Sequence, residues 1–123
     1  KNNIPVGLGT DASCPLVTPY DMWREVYYFA EFYGVSNAFA IHTATLKNAQ
    51  ILGIDDITGS IEVGKQADLI VVKENPLENL KSLRKVNMVM VGGKLIESPK
   101  YERHEQIDEW LDSLSTQGVN ACL

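Results

Sequence analysis

The order of hydrophobic patterns along the chain predicts an α/β fold: one strand, a group of helices, a small sheet and a last helix. Three observations carry this. The apolar run from Ile4 to Leu8 halts at the glycines of VGLGTDA, the signature of a strand that ends in a loop. From Thr18 to Gly53 apolar residues recur at spacings of three and four, and beyond Ile57 the period falls to two. That change of period marks a change of architecture.

Taken in order, VTPYD supplies Thr18 as an N-cap, Pro19 at the first helical position and Asp21 in the first turn, and the helix should run to Tyr33. Met22, Val26, Phe29, Ala30 and Tyr33 form its apolar stripe, with Trp23 and Tyr27 beside it, an aromatic density that implies burial on two sides. Gly34 ends this helix and Ser36 caps the next, NAFAIHTATLKNAQILG, in which Thr43 and Thr45 mark a break into two short helices before Gly53. SIEVGKQADLIVV reads as a short strand, a turn at Gly64 and Lys65, and a buried strand from Asp68 to Val72. ENPLENL reads as a Pro-initiated turn with one helical turn. In VNMVMVGGKLIES, Gly92 and Gly93 join two strands in a tight hairpin. Ile107, Trp110, Leu111 and Leu114 give an amphipathic helix from Tyr101 to Leu114, after which STQGVNACL should fray.

Composition bounds the function. At 123 residues, 45% hydrophobic, the chain can build one modest core but not a complete large barrel, which takes roughly 250 residues. Eleven basic against sixteen acidic residues, a formal charge of -5 with the signs intermixed, argue against a nucleic-acid surface. No apolar run approaches the roughly 20 residues that cross a bilayer. Cys14 and Cys122 lie at opposite ends without metal or redox spacing, so a cytoplasmic protein without a disulfide framework is expected. GLGTDA lacks the third glycine and following helix of a dinucleotide fingerprint.

Four segments in this order, VGLGTDA, AIHTATLKNAQILGI, GSIEVGKQADLIVV and VMVGGKLI, resemble the C-terminal end of the amidohydrolase superfamily across residues 4 to 98. Among its branches, the chain looks most like the imidazolonepropionases and prolidase-like enzymes. The resemblance implies the last strand and helices of a (β/α)₈ TIM-like barrel over residues 1–57, part of a composite β-sandwich domain over 58–98, and an added helix and tail over 99–123. It also implies hydrolysis of a C–N bond, in a cyclic amide, a peptide-like amide or an amidine, by metal-activated water.

Barrel enzymes carry catalytic groups at the C-terminal ends of their strands, which is where Asp11 falls. By resemblance Asp11 is both a contact to the metal and the acceptor of a proton from the attacking water, which it passes to the leaving nitrogen. Read without the downstream motifs, an aspartate at this position is a turn residue. Ser13 and Cys14 follow it, and two readings stand for them: substrate contacts at the barrel mouth, or ordinary loop residues. A nucleophilic Cys14 is disfavoured because no histidine lies near it in the sequence.

The family's other metal ligands, a His-x-His pair, a lysine or carboxylate and two further histidines, come from earlier strands. Here only His42 and His104 are present. His42, among apolar neighbours, reads as a core histidine, and His104, beside Arg103 and Glu105, as a solvated one. Lys65 reads as projecting into solvent, Asp68 as bonding turn backbone, and Trp23, Tyr27 and Phe29 as core.

The chain begins at Lys1 with a strand almost at once, so the expectation is a C-terminal fragment, inactive by itself, of an enzyme using a divalent metal, zinc by expectation. No metal is expected on the fragment alone. Its edges should drive formation of a homo-oligomer. The contrasting reading is an autonomous, noncatalytic α/β binding or assembly module.

Overall fold

A computed structural model describes residues 4–116. Along the chain, α1 (Met22–Tyr33) is followed by α2 (Asn37–His42), a π-helical turn (Thr43–Lys47) and α3 (Asn48–Leu52). Strand β1 (Leu69–Val72), a 3₁₀ turn (Leu80–Arg84), β2 (Val86–Val91), β3 (Lys94–Glu97) and α4 (Glu105–Thr116) complete it. The α/β composition is as the sequence predicts. Among the described residues the strands form a single antiparallel sheet in the order β1-β2-β3.

Segment Ile4–Leu8 is extended but pairs with no strand, which corrects the first sequence expectation. The Asn48 side chain takes a strand's place: Leu8 N–H donates to its Oδ1 at 2.9 Å, and its Nδ2 donates to Leu8 C=O at 2.8 Å. A primary amide matches both groups of one residue in an extended backbone.

Helix α1 starts later than Thr18. Residues 18–21 form a turn in which Asp21 N–H donates to Thr18 C=O, and Asp21 becomes the N-cap position, its carboxylate making no cap bond to the helix backbone. Trp23, Val26 and Ala30 are buried, and Val26 and Ala30 form the core with Ala40 and Leu80, so the 3₁₀ turn closes the space between α1 and α2. Residues 22–30 of α1 are buried or half-buried all round, as expected, and only its last turn opens to solvent, with Phe32 and Tyr33 largely exposed. Gly34 adopts the left-handed conformation and Ser36 Oγ accepts from Phe39 N–H, ending one helix and starting the next as expected. Thr43 and Thr45 do not break the second helix. Their hydroxyls donate to Phe39 and Ile41 carbonyls, and the rod continues through a π turn.

Gly92 and Gly93, at φ +55° and +80°, make the two-residue turn of the β2–β3 hairpin, a backbone that glycine adopts without strain. Two corrections concern the preceding segment. Residues 61–63 form no strand, and β1 is half exposed rather than buried, with Ile70 and Val71 open to solvent. The last helix begins at Glu105 rather than Tyr101 because residues 101–104 dock first. Tyr101 stacks on Tyr20, whose hydroxyl accepts from His104 N–H at 2.9 Å. The helix extends to Thr116, and the rest of the expected frayed tail, including Cys122, lies outside the described residues.

Candidate active-site loop

Residues 9–17 leave the extended segment as two linked turns. Cys14 N–H donates to Asp11 C=O at 3.2 Å, and Val17 N–H to Cys14 C=O at 3.1 Å. Asp11, Ser13 and Leu16 all have positive φ, at 53°, 92° and 69°. Such conformations cost a non-glycine residue on the order of 1 kcal/mol each and persist only where the surroundings fix them. The loop is fixed at both ends: Asn48 holds Leu8, and the Asp21 carboxylate accepts from the Thr18 hydroxyl at 2.7 Å.

The loop brings together the three residues singled out from sequence. Asp11, Ser13 and Cys14 are all exposed, and the Cys14 thiol donates to Asp11 Oδ2 at 3.2 Å. That bond to a carboxylate holds the thiol above its ordinary range, so Cys14 is a protonated donor at neutral pH and a poor nucleophile. No bond to Asp11 Oδ1 competes for its lone pairs among the described contacts.

The remaining candidates fall elsewhere. His42 is exposed, not a core residue, because its face of α2 borders an open groove with Phe29, Tyr33 and Phe39. His104 is exposed, as expected. Lys65 folds back instead of projecting into solvent, its ammonium meeting the Ser60 hydroxyl and Glu62. Asp68 accepts from Gly92 N–H at 2.8 Å, and that bond, then Gln66, holds its carboxyl below the usual range. Its partner turn lies on the next hairpin, across a sequence gap that a local reading does not span.

Sequence reasoning missed the ionic cluster behind the loop. Arg24 is buried and its guanidinium lies 3.1 Å from Asp21, 3.6 Å from Asp108 and 2.9 Å from Asp112. Arg84 reaches Asp112 and Arg103 reaches Asp108, each at 2.7 Å, and the Arg24 and Arg84 guanidinium groups both lie over the Trp23 ring. Three arginines face three aspartates, so the buried Arg24, Asp21 and Asp108 are balanced by one another and by the partly exposed Arg84, Arg103 and Asp112. The only sequence signal is Arg24 on the helix stripe side next to Trp23. Glu25 faces the same space, and burial raises its carboxyl.

A metal fits this chain's residues poorly. Among the described residues no group of three or more His, Cys, Asp or Glu side chains could hold one. Asp11 offers one carboxylate, and the thiol beside it is held protonated, whereas zinc sites use three or four protein donors.

Comparison with known proteins decides the family. The amidohydrolase family profile matches residues 1–96. The chain belongs to the amidohydrolase family. It is 41% identical over 72 residues to an imidazolonepropionase from Picrophilus torridus, covering 58% of this chain and 18% of that enzyme. A crystal structure of a candidate prolidase from Bifidobacterium longum superposes with a TM-score of 0.86 at 42% identity, over 89% of this chain and 27% of that one. A Xaa-Pro dipeptidase with methionine bound in its active site gives 0.65 at 43%, over 73% and 21%. The chain thus spans roughly a fifth to a quarter of its relatives' length. Homologues in the family are hydrolases acting on C–N bonds, and a divalent metal is bound among them.

Proposed function

We propose that this chain is the C-terminal part of a metal-dependent amidohydrolase that cleaves a peptide-like amide, with Asp11 moving the proton. The observation that carries the reading is the position of Asp11: an exposed carboxylate in a strained, doubly anchored loop directly after an extended segment, within the family-matching residues. In a (β/α)₈ barrel that is the catalytic face. The likeness to a candidate prolidase over 89% of this chain and to a dipeptidase over 73%, against 58% for an imidazolonepropionase of similar identity, supports a peptide-like substrate over a cyclic amide or an amidine.

In this reading Cys14 donates its thiol proton to Oδ2 and holds the carboxylate's orientation, leaving Oδ1 to accept a proton from the attacking water. The same oxygen then delivers that proton to the nitrogen as the C–N bond breaks. A divalent metal, zinc by expectation, would acidify that water when bound; Asp11 would be one contact to it and its other ligands would come from residues beyond this chain. Ser13, exposed two residues after Asp11, would touch the substrate in this reading.

The test is hydrolysis by the complete, zinc-supplied protein of Xaa-Pro dipeptides against imidazolone-type cyclic amides and aminopurines. Preferential release of amino acids from the dipeptides is expected. Hydrolysis of none of the three would contradict the assignment, and preference for a ring substrate would move it to another branch.

A further inference from the structure

The loop carrying Asp11 and the last helix are coupled through one side chain. Asp21 Oδ2 takes the Thr18 hydroxyl at the loop's C-terminal end, and Asp21 Oδ1 lies 3.1 Å from both Trp23 Nε1 and Arg24 Nε. Arg24 extends the chain of contacts to α4, with Nη1 on Asp112 and Nη2 on Asp108. Thr18, Asp21, Arg24 and Asp108 are each about 5% exposed or less, so water has little access to the contacts among them, whereas Asp112 is partly exposed. A cavity of about 140 Å³ separates Thr10, Leu16 and Val17 of the loop from Arg24 and Leu111, leaving the loop little direct packing there. Its strained backbone is therefore held by the polar anchors at its ends.

We propose that Arg24 is a positioning residue: fixed by Asp108 and Asp112 of α4, it holds Asp21 on Thr18 and so sets the turn that presents Asp11. The inference rests on the reading of Asp11 as the proton acceptor. Helix α4 lies beyond residue 96, where the match to the family profile ends. The guanidinium fork is needed because three carboxylates approach from different directions. A lysine ammonium has the charge without that geometry.

The test uses Thr18→Val, Thr18→Ser and Arg24→Lys in the complete protein, with Asp112→Asn as a milder variant should Arg24→Lys fail to fold. Two readouts are taken: hydrogen exchange of the Cys14 and Val17 amides, whose N–H groups close the two turns of the loop, and kcat with KM. Thr18→Val, and Arg24→Lys or Asp112→Asn, should speed that exchange about two- to fivefold while exchange in the Val26–Ala40–Leu80 core is unchanged. They should also lower kcat roughly ten- to hundredfold with KM nearly unchanged, as a small misplacement of a proton acceptor does. Thr18→Ser, which keeps the hydroxyl, should stay near the parent in both. Unchanged loop exchange in Thr18→Val and Asp112→Asn would overturn the positioning role, whatever the turnover. Faster loop exchange with unchanged kcat would support the coupling and overturn Asp11 as the proton acceptor.

Discussion

At Gly7 a Cβ would come within 2.5 Å of Asn48 Oδ1, the oxygen that accepts the Leu8 N–H, and within 3.2 Å of Ile51 Cδ1. The first glycine of VGLGTDA is therefore explained by close approach to an amide, whereas the sequence alone suggests only the end of a strand. Gly7→Ala should destabilise by about 1–3 kcal/mol, the usual range for overpacking, because Asn48 cannot move aside without losing both bonds to Leu8. Asn48→Ala should cost a similar ~1–3 kcal/mol for two hydrogen bonds. Asn48→Asp should be no better, since it sets a second oxygen against the Leu8 carbonyl. Urea unfolding midpoints check all three, and an Asn48→Asp midpoint equal to the parent's would contradict the paired amide. Asp11, Ser13 and Cys14 were legible because glycines and a Thr-Asp pair mark the loop. Asn48 and Arg24 were not, because Leu8 lies 40 residues from Asn48 and the aspartates of α4 lie 84 and 88 residues from Arg24.

At the scale of elements, local signals placed most helices and the hairpin, and failed where tertiary contacts decide. The Gly34 stop, the Ser36 cap and the Gly92–Gly93 turn are set by residues within a few positions, and the structure keeps them. The starts of α1 and α4 moved because Asp21 is drawn to Thr18 and Arg24, and because Tyr101 and His104 dock on Tyr20. Docking of α4 should depend on pH. Burial alone would raise the Asp112 carboxyl, but hydrogen bonds and charge from Arg84 and Arg24 outweigh it and hold it below its ordinary value of 3.8. A depressed carboxyl stabilises the folded state above that ordinary value, and the contribution is lost as pH falls through the folded pKa. Protection of the amides in residues 105–116 against exchange should thus fall below about pH 4, before that of the Val26–Ala40–Leu80 core does. Equal protection of α4 at pH 6 and pH 2.5 would contradict this.

At the scale of the whole molecule, no described helix is long and apolar enough to cross a membrane. Large apolar side chains remain open on two faces: Ile4, Tyr33 and Phe39 around the groove beside His42, and Ile61, Val63 and Ile70 before and within the sheet. Studied by itself, the chain should use them to self-associate, and sedimentation at micromolar concentration should show a dimer or larger species. A monomer with no concentration dependence would contradict that expectation. The family was legible from four ordered motifs, whereas the metal site was not, since among the described residues Asp11 has no companion ligands. Asp11 therefore carries the central claim. The most direct measurement is kcat of Asp11→Asn in the complete protein on the best amide substrate, with bound metal quantified in the same sample. The account predicts a fall of at least about a hundredfold, the low end for loss of a general base, with folding unchanged. Near-normal turnover with metal bound would contradict it.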